Sequence, residues 1–223
     1  MIAYPGACKI RTMKYPDLRS GGVALAAALA PYHGAGDTIV LGIVRGGVTL
    51  ADEVARTLAL PLDLVLLRVM MERLPGPPLC AARVAGTLVL DDELRAMANP
   101  PVTIEEIFVA DALEVFARRE LDCRGTRAPV NVAGKTVLLV DNGLRTGGTM
   151  RAAIRGLRRL GPARIVAAVP VGAAEAVAMV RPLADELICL ASPAPFGHVG
   201  LWYQRFDVGS EADIGRILDA YPP

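Results

Sequence analysis

The chain has 223 residues, 53% of them hydrophobic and 21% charged, with a formal net charge of +1. That length and apolar content suffice for one large domain with a buried core, and the near-neutral balance supplies no field to attract nucleic acid or an anionic membrane. The four cysteines, Cys8, Cys80, Cys123 and Cys189, form no C-x-x-C pair, so neither a zinc knuckle nor a disulfide framework is indicated and a reducing cytoplasm is the simplest setting.

In chain order, "GGVALAAALA" (21 to 30) has the small-residue ending of an export signal. Asp17 just upstream and the alanine content fit an amphipathic helix better. No stretch of about eighteen uninterrupted apolar residues exists, so no membrane span is expected. "TIVLGIV" (38 to 44) then reads as a buried strand, 49 to 59 as a helix and "LDLVLLRV" (62 to 69) as a second strand. Residues 70 to 102 break the rhythm: "ERLPGPP" reads as a mobile loop and "RVAGTLVLDD" as an extended strand or hairpin. A helix over 103 to 122, the strand "TVLLVD" (136 to 141), a helix over 148 to 160, "RIVAAVP" (164 to 170), a helix over 172 to 181 and "ELICL" (186 to 190) follow. Nearly continuous apolar strands separated by helices predict an open, doubly wound parallel α/β sheet covered on both faces. The 70 to 102 region and the aromatic-rich tail from 192 are expected outside that sheet, as a small cap.

"KTVLLVDNGLRTGGTM" (135 to 150) carries the chemistry. Asp141 falls at the end of a strand, where open sheets bind ligands, and Thr146, Gly147, Gly148 and Thr149 offer free N–H groups, two hydroxyls and the positive end of a helix dipole. A phosphate suits that turn. Asp141 would be repelled by the same phosphate, so its expected role is to accept hydrogen bonds from neighbouring hydroxyls such as a ribose diol. An ordinary strand-to-helix turn is the plain alternative. Neither a P-loop nor a G-x-G-x-x-G fingerprint is present. A second turn, "GIVRGGVTL", repeats the arrangement with Arg45, Gly46 and Gly47, as a second anion cradle or as a tight turn with Arg45 in solvent.

These motifs resemble those of the type I phosphoribosyltransferases, which use phosphoribosyl pyrophosphate (PRPP). "VLLVDNGLRTGGT" resembles the family's PRPP motif, and "VRGG" (44 to 47) its pyrophosphate loop. From about residue 15 onward the chain is similar to an uncharacterised bacterial branch of predicted phosphoribosyltransferases through "RGGV", "VLLVDNGL", "GPARIVAAVPV" and "PFGHVGLWY". The resemblance implies a single domain over 1 to 223. Its core would cover about 15 to 69 and 103 to 191, with a flap at about 70 to 82 and a hood at about 192 to 223.

It implies that Asp141 holds the ribose hydroxyls, that Thr146, Gly147, Gly148 and Thr149 hold the 5′-phosphate, that Asn142, Gly143, Leu144 and Arg145 between them also bind substrate, and that Arg45, Gly46 and Gly47 take the pyrophosphate. It also implies a cis peptide bond between Val44 and Arg45. Magnesium would arrive with PRPP, without a direct protein ligand, or with Asp141 through water. The partners implied are PRPP and a nucleobase-like acceptor, with a homodimer as one assembly.

Three departures qualify the match. Asn142 stands where most members carry a second acid. Arg145 replaces the acid of purine-type members and can add a donor for an anion. The flap segment "RVMMERLPG" has no lysine, leaving Arg68 and Arg73 to stabilise a leaving group. Phe196 or Trp202 would wall the acceptor pocket by stacking, or, with Tyr203 and Phe206, simply pack the hood onto the sheet. His198 reads as structural and His33 as exposed. The competing functions are a sensor that binds PRPP without turnover and a phosphosugar hydrolase, for which no nucleophile with a paired base is recognisable. Asp141→Ala and Gly147→Val are each expected to abolish PRPP affinity at a stability cost within about 2 kcal/mol.

Overall fold

The structure, a computed structural model, describes residues 14–70, 79–90, 96, 97, 99 and 101–221. Seven strands form one sheet: β1 (Thr38–Ile43), β2 (Leu62–Met70), β3 (Leu79–Val84), β4 (Thr87–Leu90), β5 (Thr136–Val140), β6 (Arg164–Val171) and β7 (Glu186–Ala191), in the order β4-β3-β2-β1-β5-β6-β7. The helices are α1 (Leu18–Ala28), α2 (Gly46–Leu58), α3 (Val102–Arg124), α4 (Gly148–Arg158), α5 (Ala174–Val180) and α6 (Glu211–Asp219).

Five strands, β2-β1-β5-β6-β7, are parallel, as the alternation of apolar runs and helices predicts. Each is apolar on both sides because both faces are covered. Along β1, Ile39, Leu41 and Ile43 enter one core with α4 and α5, while Val40 enters the other with α1, α2, α3 and α6. This two-residue alternation shares each strand between two cores. Two glycines let the helices approach. A β-carbon on Gly42 would lie 2.6 Å from Val48 Cα in α2, and one on Gly22 would lie 2.7 Å from the Leu50 carbonyl oxygen, where α1 crosses α2.

The described strands of the 70 to 102 region do not form a cap. β3 pairs antiparallel with β2, and β4 with β3, so this hairpin extends the sheet at one edge and makes it mixed. Val84 pairs with Thr87 around a two-residue loop, Ala85 and Gly86, both at positive φ, which matches the twist of a tight hairpin. The flap expected over 70 to 82 therefore gives Leu79–Ala82 to a strand, and its centre, with Arg73, lies outside the described residues. The tail is likewise only partly a hood. Ile214 and Leu218 of α6 join the core that holds Phe108 and Phe116 of α3. Ser210 and Asp213 cap α6 reciprocally.

The hood proper also uses Tyr15, near the start of the described residues. The Tyr15 N–H donates to the Trp202 carbonyl at 2.8 Å, and the Gln204 N–H to the Tyr15 carbonyl at 2.8 Å. Among the described residues, no helix is long and apolar enough to cross a membrane.

Candidate active site

Strand order decides where the site lies. From β1 the chain proceeds outward to β2 on one side, and from β5 to β6 and β7 on the other, so the direction of winding reverses between β1 and β5. Open α/β sheets leave a crevice at the carboxyl ends of such a pair. The turn 44 to 47 leaves β1 and the turn 141 to 147 leaves β5, and the register Gly42 opposite Val140 sets them side by side. The two motifs that sequence places almost a hundred residues apart thus lie side by side at the carboxyl ends of β1 and β5.

Contacts between the turns redefine most of their glycines. A β-carbon on Gly46 would lie 2.4 Å from Asn142 Nδ2, and one on Gly47 2.7 Å from the Val140 carbonyl oxygen and 3.1 Å from Asp141 Cα. These residues are glycine because the turns touch. Gly143 would meet Val199 Cγ1 at 2.9 Å. Gly147 has φ of 76°, and its β-carbon would meet Val180 Cγ2 at 2.9 Å, so Gly147→Val would strain the backbone and cost more than the sequence expectation allowed.

Gly148 differs. It opens α4 with ordinary helical backbone, and among the described residues a β-carbon there would meet nothing nearer than Thr146 Oγ1 at 3.8 Å. No side chain caps this helix start and no acid lies in its first turn. Its N–H groups therefore face half-exposed space beside two hydroxyls, Thr146 and Thr149. Leu144, between Asp141 and this turn, is buried and bridges to Gly172, with its N–H on the Val171 carbonyl at 2.9 Å, so the end of β6 fixes the turn's path.

Asp141 is only 8% exposed. Its Oδ1 accepts the Asn142 N–H at 2.8 Å. Burial pushes the carboxyl up to about 7, against the pull of that one backbone hydrogen bond. A carboxylate held this way is short of donors, which a diol would supply. Arg45 and Arg145 are exposed beside it on their turns. Arg45 follows a cis peptide bond from Val44, as the resemblance implied. Arg68 stands near the carboxyl end of β2, with Nε on Asp111 Oδ2 of α3 at 2.9 Å. Among the described residues, no cluster of three His, Cys, Asp or Glu side chains is arranged to hold a metal.

The hood closes over these turns from one side. Phe196 packs against Trp202 with ring centroids 6.0 Å apart, and its carbonyl accepts the Trp202 indole N–H at 3.0 Å. His198 and His33 are exposed. Sequence reasoning missed the part played by Tyr203, whose hydroxyl donates to the Asn142 carbonyl at 2.7 Å. Nothing local signals that contact, because 61 residues separate its partners.

Comparison with known proteins identifies the family. The family described as "Phosphoribosyl transferase domain" matches residues 85–204. A Mycobacterium tuberculosis protein (strain H37Rv), named "Putative phosphoribosyl transferase Rv0571c", is 34% identical over 209 residues, 92% of this chain and 46% of its own length. The chain thus spans about half of that relative. "Bifunctional protein PyrR 1" of Lactiplantibacillus plantarum is 27% identical over 184 residues, 78% of this chain and 84% of its own. The crystal structure of TT1426 from Thermus thermophilus superposes with a TM-score of 0.77 at 35% identity, covering 95% of this chain and all of the other. Because the family pattern runs from β4 through α3, β5 with its turn, β6 and β7 into the start of the hood, more than half of the sequence, this chain belongs to the phosphoribosyl transferase domain family.

Proposed function

We propose that the chain transfers a phosphoribosyl group from PRPP to a nitrogen nucleophile, a small heterocyclic base or amine. The nitrogen attacks the anomeric carbon, the bond from that carbon to the pyrophosphate oxygen breaks with inversion, and pyrophosphate leaves with the electron pair. The observation that carries this reading is Gly148, a glycine that neither backbone conformation nor packing among the described residues requires, beside two hydroxyls at an uncapped helix start. Space of that kind suits a phosphate oxygen approaching the backbone closely.

In this reading Thr146, Gly147, Gly148 and Thr149 bind the 5′-phosphate, and Asp141 accepts from the ribose diol. Arg45 meets the pyrophosphate with the N–H groups of Gly46 and Gly47, and Arg68 adds charge from β2. Arg145 donates to an anion at the crevice mouth. Phe196 and Trp202 form the apolar wall for the acceptor. The protein contributes by positioning the reactants, excluding water and stabilising the departing anion.

Magnesium fits as an ion carried by the ligand. Asp141 is the one carboxylate on these two turns, so phosphate and diol oxygens would supply most of its shell, with Asp141 through water. When bound it would neutralise charge on the leaving pyrophosphate.

Gly148→Ala tests the assignment. Alanine in a first helical turn is neutral or stabilising by about 0.5–1 kcal/mol, so the variant should melt at or above the parent temperature. Its affinity for PRPP, measured by calorimetry with Mg²⁺, should fall at least about tenfold. Unchanged affinity would remove the phosphate from this turn.

Asn142 favours a second reading, a sensor that binds PRPP without turnover, because the site holds one carboxylate where two would grip the ribose and its metal more strongly. Pyrophosphate release across a panel of bases and amines separates the two. Saturable PRPP binding with no release for any acceptor selects the sensor.

A further inference from the structure

The hood and the diol-binding carboxylate are joined by a chain of hydrogen bonds through one residue. Tyr203 Oη donates to the carbonyl of Asn142 at 2.7 Å, and the Asn142 N–H donates to Asp141 Oδ1 at 2.8 Å. Both backbone groups of Asn142 are therefore engaged, one by the hood and one by the carboxylate. The donor end is rigid. Tyr203 is 3% exposed, its ring lies 5.7 Å from that of Tyr15 and 5.4 Å from that of Phe206, and the Tyr15 backbone is stitched to both sides of it. Burial, with Tyr15 and Asp141 nearby, raises the phenol's pKa and keeps it a donor.

The contact is not isolated. Val199 of the hood closes on Gly143, and Val208 on Gly46, where added β-carbons would lie 2.9 and 3.1 Å from them. A displacement of the hood would thus shift the turn that carries Asp141.

We propose that Tyr203 is a positioning residue that aims the Asp141 carboxylate at the ribose diol through Asn142, so that the hood and the diol-binding turn act as one unit. The proposal rests on the diol role given to Asp141 above. Tyr203 touches neither ligand nor reacting atom in this account. Its effect on binding should therefore be confined to ligands that present the full diol.

Calorimetric titration with ribose 5-phosphate and with 2-deoxyribose 5-phosphate reads this directly. Tyr203→Phe keeps the ring and removes the hydroxyl. It is expected to weaken ribose 5-phosphate about tenfold and to leave 2-deoxyribose 5-phosphate within about twofold, because only the former needs the aimed carboxylate. Phe206→Leu, which loosens the stack but spares the hydroxyl, should give a smaller loss of the same diol-selective kind. Tyr15→Phe removes a hydroxyl from the same stack outside the chain and should change neither affinity.

Equal weakening of both ligands by Tyr203→Phe would make the residue a packing element only and overturn the proposal, as would the selective loss appearing in Tyr15→Phe. If the unsubstituted protein binds neither sugar phosphate, or does not distinguish them, the reading of the turns fails and the relay falls with it. If it distinguishes them and Tyr203→Phe preserves the distinction, the relay alone fails.

Discussion

At the scale of single residues, Asp141 shows what burial does to an acid at a strand end. Its carboxyl titrates at about 7 in the folded chain against 3.8 for an ordinary aspartate, because desolvation outweighs one backbone hydrogen bond. Between those two values the folded state keeps a proton that the unfolded chain has released. Stability therefore falls as pH rises through this window and levels off above it. Asp141→Asn removes the slope. Thermal melts should show the variant level with the parent near pH 4 and more stable near pH 8, by an order of a few kcal/mol at about 1.4 kcal/mol per unit. A parent whose stability is flat across that range would show that Asp141 ionises freely. Sequence made this residue visible by placing it at a strand end, but the cost of its charge belongs to its neighbours. The same holds for the glycines. "VRGG" and "TGGT" look alike as strings, yet Gly46 and Gly47 are small because two turns touch, Gly147 because of its backbone, and Gly148 for no reason found among the described residues.

At the scale of elements, the parallel strands and their helices were legible because burial on both faces writes a continuous apolar run. The observed spans lie within about three residues of the expected ones; α2 starts earlier, at Gly46, because the turn after β1 passes directly into it. The hairpin was legible as local structure and not as part of the sheet. Strand pairing is a contact between distant segments, and the four residues of β4 carry too short a pattern to name their partner. The connection from α3 to β5 is held at the start of β2 by a feature no motif announces. Asp63, 1% exposed at its side chain, pairs with Arg124 at 2.6 Å and accepts the N–H groups of Leu64 and Val130 at 2.8 and 2.9 Å. Asp63→Ala leaves the Arg124 charge buried without its partner and should cost about 3–5 kcal/mol in urea unfolding. The folded fraction should retain its ligand affinity, because the pair lies at the amino end of β2 and the crevice at the carboxyl ends. A loss below about 1 kcal/mol would mean that water reaches Arg124.

At the scale of the whole molecule, the first and last described segments are stitched into the same body. Tyr15 pairs with the hood, and the Tyr221 hydroxyl donates to Asp52 Oδ1 at 2.8 Å, on a buried carboxylate that also holds Arg19 and Arg56. Trp202, the one tryptophan of the sequence, lies in the hood, while most of the helix lies in the layers around the sheet. If hood and sheet unfold together, Trp202 fluorescence and far-UV circular dichroism will trace coincident urea transitions. An earlier fluorescence transition would show the hood opening by itself. A sugar phosphate that binds only the folded chain should raise stability by about 2.7 kcal/mol at a hundred times its Kd, read by both probes alike.

The sequence by itself determined the layered α/β class, the positions of the buried strands and the composition of the two turns that follow β1 and β5, because apolar periodicity and turn composition act over a few residues. Only the tertiary structure decided that the hairpin joins the sheet, that the two turns meet across β1 and β5, and that Tyr203 reaches the residue beside Asp141. Those outcomes depend on strand order and on packing between segments far apart in the chain, where no local pattern records which partner each segment will find.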